Sequence, residues 1–255
     1  MWRNVARLYA RTAWVMMLDA DFMVCTDVRA GLTRALSSIG KGKSGEIGEL
    51  ARSGRAAFVI PAFEYVIHEE GSDWRVFPRD KKGLMELVNI GKIGMFHQSW
   101  APGHNSTLYD QYYAASPGEI YKVDAYQKSY EPYVIMQRDG PPWCDERFIG
   151  YGGNKAACLF NIYISGIDFF VLPDDFLIHQ SHPYAEETRK SERKHNRKVY
   201  DDFRKELCLE EMARSMRSGT LYADVEKNLR DECMKTPGVP EVVLENLQLE
   251  GFKHD

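Results

Sequence analysis

Ala13-Trp14-Val15-Met16-Met17-Leu18 is a continuous apolar run closed by Asp19-Ala20-Asp21, and nothing else in the sequence limits the fold as tightly. A run this short reads as a strand covered on both faces, as in the mostly parallel sheets of layered α/β domains. The two acids leave it at its carboxyl end, where open α/β sheets gather their ligands. Side chains alternate in an extended segment, so Asp19 and Asp21 are expected on one side, with Ala20 facing the packing. Such a pair can hold a divalent cation against a diphosphate, one acid directly and the other through water or a ribose. Acids also cap strand ends as solvated groups, so only position makes this pair specific.

The rest of the chain alternates strand and helix, which argues for a layered α/β fold. Residues 2 to 11 place Trp2, Val5, Ala6 and Tyr9 at helical spacing, and helical pattern returns from Val28 to about Ile39. Gly40 to Gly54, rich in Gly, Ser and Lys, reads as an exposed loop. Ala56 to Phe63 gives a second buried strand, and Asp80 to Ile90 a helix with Leu84, Leu87 and Val88 on one face. Residues 94 to 130 read as irregular, crowding His97, Trp100, His104, Tyr109, Tyr112 and Tyr113 into a segment of the kind that forms ligand surfaces. Tyr133 to Gln137, Asp168 to Leu172 and Phe176 to His179 read as strands and Lys155 to Ser165 as a helix. Ala185 to about Met216 is a long charged helix with a solvated face. The expected division is a catalytic domain over 1–215 and a peripheral extension over 216–255.

An apolar fraction of 44% in 255 residues fills a proper core. The net charge of −4 lacks the basic excess that holds a nucleic-acid backbone, which excludes DNA and RNA as default partners. Five cysteines without a Cys-x-x-Cys pair argue against a zinc knuckle and leave room for one or two disulfides, their pairing open. No stretch approaches the roughly 20 apolar residues of a membrane span. The opening residues lack the zones of a secretory leader, so the expectation is either a cytosolic protein or a chain whose front portion lies upstream.

Two further clusters carry chemistry. Glu131-Pro132-Tyr133-Val134-Ile135-Met136-Gln137 is followed by Pro141-Pro142-Trp143-Cys144-Asp145-Glu146-Arg147-Phe148-Ile149-Gly150-Tyr151-Gly152-Gly153-Asn154-Lys155. Aromatics, acids and glycines in one turn before a helix suit a site that needs close backbone approach and a positioned base; a plain helix-entry turn is the bland alternative. Near the end of the last apolar strand, His179 can complete a metal site begun by two acids, and His182 is a rival for that role.

Together with Arg3-Asn4-Val5-Ala6-Arg7, Leu18-Asp19-Ala20-Asp21-Phe22, Pro61-Ala62-Phe63-Glu64 and Phe176-Leu177-Ile178-His179, these motifs resemble glycosyltransferase family 49, the LARGE-type and related β-glucuronyltransferases, over roughly residues 2 to 183. The resemblance implies a GT-A (Rossmann-like) α/β fold and inverting transfer from a UDP-sugar to a glycan acceptor with Mn²⁺ or a similar ion. UDP-glucuronate and a xylose acceptor are the family precedent. It implies Asp19 and Asp21 as the metal and diphosphate motif, with Arg3 and Asn4 beside the nucleotide and His179 as third metal ligand. Asp145 or Glu146 is the implied base, Asp145 favoured. The family's first nucleotide-binding strands precede the Arg-Asn helix, so the fold is expected to be N-terminally incomplete, with a Golgi membrane anchor upstream and this portion lumenal. Two other readings are kept: a catalytically inactive sugar-binding homologue, and a metal-dependent phosphoesterase using the acids and His179.

Overall fold

The computed structural model describes residues 2–37, 42–183 and 186–251. They fall into two compact units, one comprising Trp2–Pro141 with Asp168–Tyr184, the other Pro142–Ile167 with Ala185–Asp255.

The first unit runs α1 (Trp2–Leu8), β1 (Trp14–Met17), β2 (Phe22–Val24), α2 (Val28–Ser37), α3 (Gly42–Arg52), β3 (Ala56–Ile60), β4 (Ala62–Tyr65), α4 (Lys81–Asn89), β5 (Ile93–Met95), α5 (Tyr109–Ala114), β6 (Tyr121–Lys122) and β7 (Tyr133–Gln137), and later adds β8 (Asp168–Val171) and β9 (Leu177–His179). A five-stranded sheet has the order β1-β7-β3-β8-β6, and a four-stranded sheet the order β2-β9-β4-β5. Three times the chain crosses from the first sheet to the second: β1 to β2, β3 to β4, and β8 to β9. The middle crossing is at Pro61, which has no N–H to continue a ladder.

The α/β expectation holds, with mixed sheets. Only β3/β8 and β4/β9 pair in parallel; the remaining pairs are antiparallel. The strand covered on both faces is β3, buried throughout, rather than β1. β1 is an outer strand among the described residues, paired only with β7, and just Met17 of its residues is buried. Around β3 gather Phe22, Phe96, Tyr133, Ile135, Phe170 and Leu177, capped by Leu32 and Ala35 of α2 and Ile47 and Ala51 of α3.

Other expectations change. Within the segment read as an exposed loop, Gly42–Arg52 is helical, because Ile47 and Ala51, one turn apart, reach the core and outweigh the poor helix propensity of its glycines. On α1 the expected apolar face is not the packed one: Trp2 and Tyr9 are each 77% exposed, whereas Arg7 is buried and donates from Nε to the Arg138 carbonyl and from Nη2 to the Pro141 carbonyl, both at 2.6 Å. Residues 94 to 130 contain most of β5 with α5 and β6, and five of their six tyrosines are buried, Tyr113 being the exception. The Tyr109 hydroxyl donates to the Ala62 carbonyl at 2.8 Å and that of Tyr112 to the Asp175 carbonyl at 3.3 Å. The helix expected over Asp80 to Ile90 forms as α4, where Asp80 caps the first turn by accepting the Gly83 N–H at 2.8 Å.

The second unit contains α6 (Asn154–Ile164), α7 (Glu186–Arg217), α8 (Lys227–Cys233) and α9 (Val239–Gly251). α6 is buried along nearly its whole length. α7, expected to be a solvated helix, also buries a stripe of Asn196, Tyr200, Phe203, Cys208 and Met212, the helical spacing of a packed face. Disulfides join Cys144 to Cys158 and Cys208 to Cys233, settling the pairing left open by spacing. Among the described residues no helix is long and apolar enough to cross a membrane.

Cys25 is the free cysteine, buried, its thiol pushed up to about 12 mainly by that burial. The native chain is therefore expected to show no thiol reactive toward Ellman's reagent at pH 8, where the thiolate is the nucleophile. One thiol should appear after unfolding without reductant. Two or more would contradict the pairing.

Candidate functional site

At the end of β1 the backbone does not stay extended. It turns over Asp19–Phe22, the Phe22 N–H donating to the Asp19 carbonyl at 3.3 Å, and enters β2 in the other sheet. Ala20 is consequently exposed, and the two acids have different partners. β2 runs antiparallel to β9 with Phe22 opposite His179, and the Gln180 N–H closes onto the Asp21 carbonyl at 2.8 Å. This register brings Asp21 Oδ2 to 3.5 Å from His179 Nε2 and 3.1 Å from His182 Nε2. One ligand atom from each of these three residues lies within 4.8 Å of the others. The rivals His179 and His182 thus stand together on Asp21.

Asp19 lies outside this group. Its Oδ1 accepts from Arg3 Nη2 and its Oδ2 from the Tyr133 hydroxyl, each at 3.1 Å. Burial, reinforced by the neighbouring Asp19 charge, pushes the Tyr133 hydroxyl far above its ordinary range, so it stays protonated and donates. Arg3 and Asn4, both on α1, are half-buried.

The hydrogen bond to His179, followed by that to His182, holds the Asp21 carboxyl well below the usual carboxylate range, against the opposing effect of burial. Its other oxygen, Oδ1, is buried and has no hydrogen-bond partner. His179 is 1% exposed, its ring against those of Phe22 at 5.2 Å and Phe96 at 5.0 Å, while His182 is partly open to solvent. One carboxylate and two imidazoles suit a divalent transition-metal ion, and the unpartnered Oδ1 supplies further charge facing no donor. These residues therefore fit such an ion.

Asp145 and Glu146 belong to the second unit. Asp145 Oδ1 accepts both the backbone N–H of Arg147, at 2.8 Å, and its Nε, at 3.0 Å, and Arg147 reaches on to Glu206. Glu146 is exposed. The turn that follows is clamped from α7: Asn196 Nδ2 donates to the Ile149 and Tyr151 carbonyls at 2.9 and 3.0 Å, and Glu192 accepts the Tyr151 N–H at 2.8 Å. Gly150, at φ 78°, leaves room for that carboxylate, since a Cβ there would lie 2.5 Å from the Glu192 carboxyl carbon.

Sequence reasoning did not assign Tyr133 as the partner of Asp19, nor the α7 clamp. Tyr133 opens a strand directly after Glu131-Pro132, a visible signal, whereas Glu192 and Asn196 look like any charged and polar residues of a long helix.

Over residues 1–210 the chain matches the family described as "Glycosyl-transferase for dystroglycan", glycosyltransferase family 49. It is similar to xylosyl- and glucuronyltransferase LARGE2 of Rattus norvegicus, 34% identical over 181 residues that cover 71% of this chain and 24% of that protein. Against LARGE1 of Homo sapiens the identity is 28%, covering 71% of this chain and 21% of that protein. The chain spans about a quarter of the length of the curated relatives it matches. With the match running through both acidic motifs and the His179 strand, and a mixed α/β architecture of the kind a GT-A enzyme requires, the chain belongs to glycosyltransferase family 49.

Proposed function

We propose that this chain is a metal-dependent inverting glycosyltransferase domain that moves a sugar from a UDP-sugar to a glycan acceptor. The observation carrying the reading is the convergence of Asp21, His179 and His182 at the turn that ends β1. Relatives named for xylosyl and glucuronyl transfer support UDP-glucuronate or UDP-xylose as donor. Asp21 and the two histidines would hold Mn²⁺ or a similar ion, with Asp19 completing the diphosphate motif beside them. When bound, such an ion offsets the charge of the departing diphosphate.

The protein's own groups do the rest. Arg3, already paired with Asp19, brings a positive charge to the turn and, with Asn4, lines the nucleotide side. The Tyr133 hydroxyl and Arg3 hold the Asp19 carboxylate in a single orientation. Asp145, by its place in the family's motif, takes the proton from the acceptor hydroxyl as it attacks the anomeric carbon, with Glu146 as the alternative. Arg147 fixes one Asp145 oxygen and so orients the other. We assign residues 1–215 to this catalytic domain and 216–255 to a peripheral extension, tied to α7 by Cys208–Cys233. Two disulfides suit an oxidising compartment, which supports a Golgi lumenal site for a parent protein anchored elsewhere in its length.

Metal removal tests the reading. Titrating UDP into the chain by calorimetry is expected to give binding in Mn²⁺ and none after EDTA, with transfer from UDP-glucuronate to a xyloside following the same switch. Transfer that persists in chelator overturns the metal assignment. Acceptor binding with no UDP binding in either condition favours the inactive sugar-binding homologue.

A further inference from the structure

On the unit that carries the Asp21 group, a single residue binds both a carboxylate and the backbone of an exposed tryptophan. His97 adopts the left-handed backbone conformation, φ 53° and ψ 45°, which residues other than glycine seldom hold without a structural reason. In that conformation its N–H donates to Glu64 Oε1 at 2.8 Å, and its carbonyl accepts the Trp100 N–H at 2.7 Å. Its ring stacks on Phe96 at 3.9 Å, and Phe96 in turn lies 5.0 Å from the ring of His179. Glu64 is bound to the same neighbourhood by the sheet: Phe63 pairs with Ile178 in the parallel β4/β9 ladder, so Glu64 follows one step on, where β9 reaches His179.

Trp100 is 52% exposed. The indole lies over Gly103, where a Cβ would sit 3.4 Å from it, so one part of the ring system packs on backbone while the rest stays open. Trp74, also partly exposed, has the Arg79 guanidinium over its ring at 5.6 Å. An exposed indole and a half-buried carboxylate whose residues are both hydrogen-bonded to the backbone of His97 match a pyranose ring, which offers an apolar C–H face for stacking and hydroxyls at its rim as donors. The donor sugar is anchored through its diphosphate at the metal group. The acceptor arrives from solvent and continues into it, as an indole open to solvent requires.

We propose that Trp100 and Glu64 form the acceptor-sugar subsite, the indole stacking on a pyranose ring and the Glu64 carboxylate accepting a ring hydroxyl; this rests on the glycosyl-transfer reading above. Trp100 supplies the contact area and Glu64 the orientation. The test is direct binding of methyl β-D-xylopyranoside and methyl β-D-glucuronopyranoside to the whole chain by saturation-transfer NMR, without nucleotide or metal. Trp100→Ala is expected to weaken glycoside binding by about tenfold, with Trp100→Phe retaining part of it. Glu64→Gln should weaken it less. Mn²⁺-dependent UDP binding and the far-UV circular dichroism should remain as in the parent. Glycoside binding unchanged in Trp100→Ala overturns the proposal, as does loss of UDP binding in its place. A parent chain that binds neither glycoside overturns it too. A parent that binds glycosides through Trp100 but never binds UDP leaves the subsite standing and removes the transfer reading.

Discussion

Asp21→Asn is expected to lower UDP-sugar turnover by about a hundredfold or more and to remove Mn²⁺ binding detectable by calorimetry. The substitution keeps the side chain's volume and removes the charge that the two imidazoles face at 3.1 and 3.5 Å. Asp19→Asn is expected to abolish turnover as well, by a different route. Asp19 is engaged by Arg3 and Tyr133, so its replacement should leave more of the ion affinity in place. Measured side by side, ion affinity separates the roles that turnover alone merges. Equal turnover and equal ion affinity in Asp21→Asn and the parent would remove Asp21 from the site.

Phe58→Ala should have the largest effect on stability, a loss of about 3–5 kcal/mol in urea denaturation. Phe58 is 0% exposed on β3, between β7 and β8, with the rings of Trp14 at 5.9 Å and Phe170 at 6.5 Å. These neighbours, from β1 and β8, are themselves held in the sheet and so keep the cavity from closing. Trp2→Ala, which deletes a larger side chain that is 77% exposed, should change stability by no more than about 0.5 kcal/mol. A loss below about 1 kcal/mol for Phe58→Ala would mean that β3 is not the centre of the core.

The comparison of these two residues shows what local pattern conveys. Both stand in apolar contexts, but Phe58 lies in an uninterrupted run that must be covered on both sides, whereas Trp2 lies in a short helix whose buried member is a charged residue, Arg7. Guanidinium burial is decided by two carbonyls, at Arg138 and Pro141, more than 130 positions away. No periodicity reports them. The same holds for α3, whose glycines argue for a loop until Ile47 and Ala51 meet the core.

At the candidate site, the end of β1, the acids after it and the β9 strand ending in histidine were legible, because runs of apolar residues and the residue types that close them are local properties. The turn over Asp19–Phe22 was not, since an extended continuation and a turn into a second sheet place the same residues in the same order. That turn gives Asp19 to Arg3 and Tyr133 and Asp21 to the histidines, and it exposes Ala20.

By itself the sequence determined the strands of the long apolar runs, β1, β3, β7, β8 and β9, that the chain is an α/β protein, and which acids and histidines are available for chemistry, all consequences of side-chain character along short stretches, whereas the short strands β2, β5 and β6 carry no such run. Only the tertiary structure decided that His179 and His182 share Asp21, a contact that spans 161 positions for His182. It is set by the pairing of β2 with β9 in the second sheet. Strand pairing depends on the register between distant segments, so it is a property of the folded chain.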